Sequence, residues 1–267
     1  MNLIEFDQKG MNISPLSNIE RQKRLLQLFE KRERMTVAEV CQLTNVSEAT
    51  ARRDLNALAQ EGKIQRFFGG AMIVRKAAPE EPILRRTHDQ EEEKERIGKA
   101  AAAQVNHGDT VFLGSGTTVL QVAKNLVGRP LTVITNSLPI INLMVDWPDI
   151  NLITIGGQFR ASERSFIGHI AEQSLRDLRA DKVIIGIHAI SLEHGLTNDY
   201  LSETMTDRTI LQIGQQVIVV ADHTKFGRVS TVHVAPVEKV HTIITDSLVE
   251  KEYLDLLKEK QIEIIVA

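Results

Sequence analysis

Along residues 18–34 the apolar positions Ile19, Leu25, Leu26, Leu28 and Phe29 fall mostly on one helical face among Arg, Lys, Gln and Glu, which predicts a first helix. Thr36 with Glu39 three residues later reads as a capping box. Val37, Val40, Cys41 and Leu43 then supply the apolar side of a short second helix. Asn45-Val46 makes a turn, Ser47 is a good cap, and a third helix is expected over Glu48–Gln60, with Gly62 ending it. Its Ala51, Leu55 and Leu58 recur at four- and three-residue spacing and should face the other helices. That leaves Thr50, Arg52, Arg53 and Asn56 pointing outward. Residues 63–74 read as two short strands around a glycine turn.

Further on, Ala77-Ala78-Pro79-Glu80-Glu81-Pro82 breaks the pattern, and a charged, then alanine-rich stretch over 85–105 predicts a long helix. Its Glu91-Glu92-Glu93 run is expected on a solvated face. β-Branched apolar runs follow at Thr110–Leu113, Leu131–Thr135, Asn151–Ile155, Lys182–Ile187, Gln216–Ala221, His241–Thr245 and Ile262–Val266. Helical patterns lie between most of them: Thr118–Leu126, Leu138–Val145, Ile167–Leu178, Ser202–Ile213 and Leu248–Lys260. This alternation predicts an α/β unit with a mainly parallel sheet covered on both faces.

Composition changes the picture in three places. A chain of 267 residues with 42% hydrophobic positions is long enough for two domains. Its one cysteine, Cys41, excludes a disulfide within one chain and a four-cysteine zinc site, and reads as a small buried thiol. No run reaches the roughly 18 apolar residues of a membrane span, and the N-terminus lacks the basic-then-apolar pattern of a secretory signal, so a cytoplasmic protein is expected. Charge is uneven. Residues 1–78 carry 13 Lys+Arg against 9 Asp+Glu, a net +4, whereas residues 79–267 carry 19 against 26, a net −7. A basic head on an acidic body suits a protein that presents one end to a polyanion.

Two helices joined by a short turn, the second exposing Thr50, Arg52, Arg53 and Asn56, suit the major groove. There arginine forks onto guanine, asparagine onto adenine, and hydroxyls onto phosphates. Ser47 stands at the helix N-terminus, whose free N–H groups suit a phosphate. Lys63 and Arg66 on the following hairpin stand where a DNA backbone or minor groove would lie. At this point the sequence resembles the DeoR family of bacterial repressors. The resemblance rests on Val46, Ser47, Thr50, Arg52, Arg53, Asp54 and Leu55, then Gly62, Arg66, Gly69, Gly70 and Ala71. It implies a winged helix-turn-helix that binds DNA. Ala51 departs from the Ile or Val usual in that family.

In a parallel sheet, ligands sit beyond the carboxyl ends of the strands. The residues there are Ser115, Gly116, Thr117 and Thr118, then Asn136 and Ser137, then Gly156 and Gly157 with Arg160, and Asp222 with Lys225. Glycine-hydroxyl turns that open helices offer N–H groups and hydroxyls to an anion, and Arg160 or Lys225 adds a counter-charge. One such loop alone is ordinary βα turn chemistry; four on one edge leave phosphate-ester binding and plain turns evenly matched. Neither SGTT nor GGQFR is a nucleotide fingerprint.

The resemblance continues through LGSGTT, VITNSLP, ITIGGQFR, VVADHTKFG and IITD, which look like the DeoR C-terminal sensor domain. That domain is Rossmann-like, resembles ribose-phosphate isomerases and glucosamine-phosphate deaminases, and in the family binds phosphorylated sugars or related metabolites. Where that fold commonly reads Gly-x-Asp-Gly, this chain has Gly186-Ile187-His188-Ala189. Glu203 is retained early in the next helix, and one acid without its partner favours binding over turnover. His188 either contacts ligand or caps a strand end. No His spacing suggests a metal, and no cofactor is expected.

The expected organisation is a tail over 1–17, a winged helix-turn-helix over 18–75 with its helix-turn-helix at about 36–55, a linker over 76–90, and an effector and oligomerisation domain over 91–267. The expected function is a transcriptional regulator, a repressor of a carbohydrate catabolic operon, with operator DNA and a phosphorylated sugar as partners. A homodimer or homotetramer follows from the repeated sites such heads read. The competing class is a sugar-phosphate isomerase or deaminase with an accessory DNA-binding head.

Overall fold

In the computed structural model, residues 17–67 and 69–267 are described, and the chain divides between Ile73 and Val74 into two units. Residues 1–16 of the expected tail and Phe68 of the expected hairpin turn lie outside the described residues.

In the first unit α1 (Asn18–Arg32) starts at Ser17, which exchanges hydrogen bonds with Glu20 in a capping box. It stops short of Arg34 because residues 34–36 form β1 (Arg34–Thr36) instead. Thr36 and Glu39 form the second capping box, opening α2 (Val37–Thr44). Asn45 takes the left-handed conformation at the turn (φ 54°), as Asn does more readily than most residues. Ser47 accepts from the Thr50 N–H to start α3 (Glu48–Gln60). The hairpin is β2 (Ile64–Phe67) and β3 (Gly70–Ile73), in the sheet order β1–β3–β2. Met35 pairs with Ala71 across β1 and β3, so long-range strand pairing overrides the helical pattern that continues to Arg34. A side chain at Gly70 would meet the Phe67 ring at 2.4 Å and the Met35 carbonyl at 2.5 Å, so only glycine fits.

Leu25, Phe29, Met35, Val40, Ala51, Leu55, Leu58 and Ile64 form the core of this unit, with Cys41 half-buried at its margin. Asp54 is also buried, although it was not among the positions expected to face inward. Its carboxylate takes two hydrogen bonds from the Arg21 guanidinium, one of them 2.9 Å, and so ties α1 to α3.

The second unit begins with β4 (Arg75–Lys76) and then runs through turns to α4 (Glu91–Ala102). The helix expected over 85–105 is therefore shorter. Gln90 in the left-handed region (φ 51°) precedes it, and the preceding turn is held by Lys94, whose ammonium donates to the Arg86 carbonyl at 2.9 Å and to that of Asp89. Next come β5 (Thr110–Leu113), α5 (Thr117–Leu126), β6 (Leu131–Thr135), α6 (Leu138–Met144) and β7 (Ile150–Thr154). A hairpin, β8 (Gln158–Arg160) and β9 (Ser165–Ile167), precedes α7 (His169–Arg176) and β10 (Ala180–Ile185). The chain continues with β11 (Ala189–Ser191), β12 (Gly195–Asn198), α8 (Leu201–Ile213) and β13 (Gly214–Val220). It ends with β14 (Arg228–Val229), β15 (Val232–Ala235), β16 (Thr242–Thr245), α9 (Lys251–Glu259) and β17 (Glu263–Val266).

The seven apolar runs form one parallel sheet in the order β17–β16–β13–β10–β5–β6–β7. Val111, Leu113, Val133, Ile184, Ile218 and Ile244 pack from these strands against Ile97 and Ala101 of α4 and Val119, Val122 and Leu126 of α5. The chain winds outward from β5 through β6 and β7, then returns to β10 on the other side of β5. That reversal makes a crevice beyond the ends of β5 and β10. A second, antiparallel sheet β11–β12–β15 and the β8–β9 hairpin were absent from the sequence reading; their strands are too short to leave a periodic signal.

Candidate functional site

On α3, Arg52, Arg53 and Asn56 are exposed and Thr50 is half-buried. Arg52 is steadied by Glu48 one turn earlier, at 2.6 Å, a surface pair worth only about 0.3–0.5 kcal/mol and easily exchanged for another acceptor. Ser47 and Thr50 cap the helix and share a hydroxyl contact of 3.0 Å. Exposed Lys63 lies 2.5 Å from Glu61. Arg66 on β2 is half-buried; burial first, and the charge of Arg52 second, push its guanidinium down from its ordinary range. Two cations held close enough to oppose one another, on the helix and on the hairpin, gain from a shared polyanion.

In the second unit a cleft of about 270 Å³ opens at the crevice beyond β5, β10 and β13. Ser115, Gly116, Thr117, Thr118, Glu203, Asp222 and Lys225 all line it, so seven of the twelve residues expected to hold an effector are brought together. Gly116 caps α5 in a positive-φ conformation (φ 121°) with no side-chain cap, which leaves the first N–H groups of that helix for an anion. Asp222 is buried and turns its carboxylate onto the Thr224 N–H at 3.0 Å, which fixes the loop that carries Lys225.

Asn136, Ser137, Gly156, Gly157 and Arg160 do not line the cleft. The loop after β6 is covered by the β8–β9 hairpin: Asn136 Nδ2 donates to the Phe166 carbonyl at 3.0 Å, and Ser137 bridges to Ser165. Gly157 is there because its backbone approaches Ile167, whose carbonyl a Cβ would meet at 2.7 Å. Arg160 stacks over the Tyr200 ring at 4.4 Å and ion-pairs with Glu203 from outside the cleft. It supports an acid that lines the cleft.

Several further lining groups were not legible in the sequence. Glu80, Arg86, Asp89, Gln90 and Lys94 come from the stretch expected to be a linker and the start of α4. That stretch is folded onto this unit. β4 pairs with β14, the Ala77 N–H donates to the Val229 carbonyl at 2.8 Å, and the Ile83 N–H donates to Ser162 at 2.8 Å. Lys94 sits next to the solvated Glu91–Glu93 run yet is 4% exposed, and burial pushes its ammonium pKa down. Nor is Glu203 alone. Asp207, one turn on, also lines the cleft and accepts from Asn198 at 2.6 Å; Glu163 is a third carboxylate. Burial, then the charge of Asp207, pushes Glu203 well above the usual carboxylate range, and burial pushes Asp207 up as well. His188 does more than cap a strand end. Its Nε2 lies 2.9 Å from the Ala78 carbonyl and its Nδ1 lies 3.2 Å from the Glu80 carboxylate. The cleft thus has a cationic, N–H-rich side at Ser115–Thr118, Lys94 and Lys225, and a side of acids and Asn198 suited to hydroxyl donors. Among the described residues no cluster of His, Cys, Asp and Glu suits a metal, and no helix is long and apolar enough to cross a membrane.

Comparison with known proteins matches residues 21–77 to the DeoR-like helix-turn-helix domain and residues 89–247 to the DeoR C terminal sensor domain. The chain is 35% identical over 234 residues to the HTH-type transcriptional regulator IolR of Bacillus subtilis (strain 168), covering 87% of this chain and 93% of that one. It is 30% identical over 254 residues to the glycerol-3-phosphate regulon repressor of Escherichia coli (strain K12), covering 93% and 99%. Among solved structures, ribose 5-phosphate isomerase A from Methanocaldococcus jannaschii is similar to 52% of this chain and 55% of its own, at 18% identity and a TM-score of 0.39.

Proposed function

The chain belongs to the DeoR family, and we propose that it is a sequence-specific regulator, acting as a repressor of a carbohydrate catabolic operon, whose DNA affinity is set by a phosphorylated sugar in the cleft. Arg52, Arg53 and Asn56 read base edges, and Ser47, Thr50, Lys63 and Arg66 contact the backbone. One observation carries the reading: an exposed basic helix with its hairpin shares a chain with a cleft that opposes an anion-binding side to a hydroxyl-binding side. A phosphate ester of a polyol matches both sides. The relatives point the same way, since one is named for glycerol-3-phosphate. The functional unit is a homodimer or homotetramer, because heads of this kind read repeated half-sites.

The acids in the cleft also suit proton transfer on a sugar phosphate, which favours an isomerase or deaminase as the second reading. Both are tested on the purified full-length protein with a panel of pentose, hexose and triol phosphates. A ligand of the native state raises the melting temperature and should release operator DNA in a gel-shift assay. Release without turnover supports the regulator; turnover of any member of the panel supports the enzyme.

A further inference from the structure

Glu80 lies in the part of the cleft's wall that the chain reaches soon after leaving the first unit, and it presents a carboxylate to the cleft's cations. Its Oε1 lies 2.6 Å from Arg86 Nη1 and 3.3 Å from Lys225 Nζ, and its Oε2 lies 3.2 Å from His188 Nδ1. Its backbone N–H donates to Asp199 at 3.0 Å. The carboxylate is largely withdrawn from water, 13% exposed, so these three partners compensate a substantial desolvation cost. Lys225 is the cation of the cleft whose ion-pair partner is Glu80 itself, at 3.3 Å, whereas Lys94 is committed to two backbone carbonyls and Arg86 to Glu163 and the Glu81 carbonyl as well as to Glu80. A free anion and Glu80 therefore need the same ammonium.

We propose that Glu80 is a tethered internal anion that holds Lys225 in the unliganded protein, so that an anionic ligand displaces it and releases residues 77–83 from the wall of the cleft. This rests on the reading of the cleft as an anion-binding site and adds how occupancy leaves it. The released segment follows β3 with only Val74 and the two residues of β4 before it. Ligand occupancy is thereby converted into loosening of the covalent connection between the two units. The ligand class follows too: displacement requires a charged group, so phosphorylated compounds act and their unphosphorylated parents do not.

The test uses the full-length protein and inorganic phosphate as probe, with sulfate as a second anion. Hydrogen–deuterium exchange of the wild type should show faster exchange at the amides of Ala77, Glu80 and Ile83 when phosphate is bound. Glu80→Gln, which keeps the shape and removes the charge, should bind phosphate about tenfold tighter, because the competent state no longer has to be liberated first. In that variant residues 77–83 should exchange fast with or without phosphate. Glu81→Gln, which removes an exposed neighbouring charge, controls for simple electrostatics and should change affinity less than twofold. Phosphate binding with unchanged or slower exchange at residues 77–83 overturns the proposal and leaves the anion site standing. Equal tightening by Glu80→Gln and Glu81→Gln overturns it as well. Failure of phosphate and of every sugar phosphate to bind removes the site itself, and the proposal with it. If Glu80→Gln does not fold, the exchange experiment on the wild type decides alone.

Discussion

In the first unit the groups proposed to read DNA, Arg52, Arg53 and Asn56, stand in solvent on one helix, and the acid paired with Arg52, Glu48, is itself exposed. In the second unit the charged groups Lys94, Glu80 and Glu203 at the cleft are withdrawn from water and already engaged: Lys94 by the nearby carbonyls of Arg86 and Asp89, and Glu80 and Glu203 by partners far away in sequence, Lys225 and His188 for the first and Arg160 for the second. The difference follows from the ligand each must meet. DNA arrives with a surface of its own and its phosphates compete well with weak surface pairs, so an exposed cation costs little to hold ready. A small metabolite is enclosed, so the charges that recognise it must already be compensated in its absence.

The contrast can be broken most sharply at the reading helix. Replacing Arg52 and Arg53 together by Ala should weaken specific operator binding by roughly two to four orders of magnitude, at about 1–3 kcal/mol per lost bidentate contact. The melting temperature should barely move, because both side chains are exposed. Fluorescence anisotropy with operator and random DNA measures the first, calorimetry the second. A large loss of stability would mean that these arginines are structural.

Asp54, between those arginines and the core, should behave in the opposite way. Asp54→Ala leaves Arg21 without its buried carboxylate and should destabilise the first unit by about 3 kcal/mol, read by urea unfolding. Next in size, Lys225→Ala should cost about tenfold or more in sugar-phosphate affinity while leaving operator binding intact; normal release of operator DNA by the effector would remove this residue from the site.

A loss of stability as pH rises above the ordinary carboxylate range should come from the second unit. Glu203 and Asp207 have pKa values raised by burial in the folded protein, so the native state binds more protons than the unfolded chain. Their contribution to stability is full below the ordinary carboxylate range and is lost as pH rises through the raised values. Asp207→Asn should flatten that decline and raise the melting temperature at pH 8 by a few degrees relative to wild type, with no gain at pH 4. A parallel shift at both pH values would contradict the assignment. The smallest effect belongs to the caps: Ser47→Ala should cost about 1 kcal/mol of stability through the start of α3.

Elements with local causes are legible in the residues themselves. The capping residues Thr36, Glu39 and Ser47 and the 3.6-residue spacing of Ala51, Leu55 and Leu58 marked the reading helix and its exposed face. The β-branched runs marked all seven strands of the parallel sheet, and the glycine-hydroxyl loop after β5 marked one wall of the cleft. Strand order, by contrast, is a property of pairing between residues tens of positions apart. It is the assembled fold that sets β5, β10 and β13 side by side and brings Ser115–Thr118 to Lys225, while Asn136 and Gly157 are covered by a hairpin. It alone turned an apparent linker into part of the cleft's wall, for Pro79 and Pro82 look the same in a free segment as in one anchored by Glu80, Ile83 and Arg86. A charge that reads as solvated in sequence becomes a buried one when a distant segment supplies its counter-charge, and no local pattern records that partner.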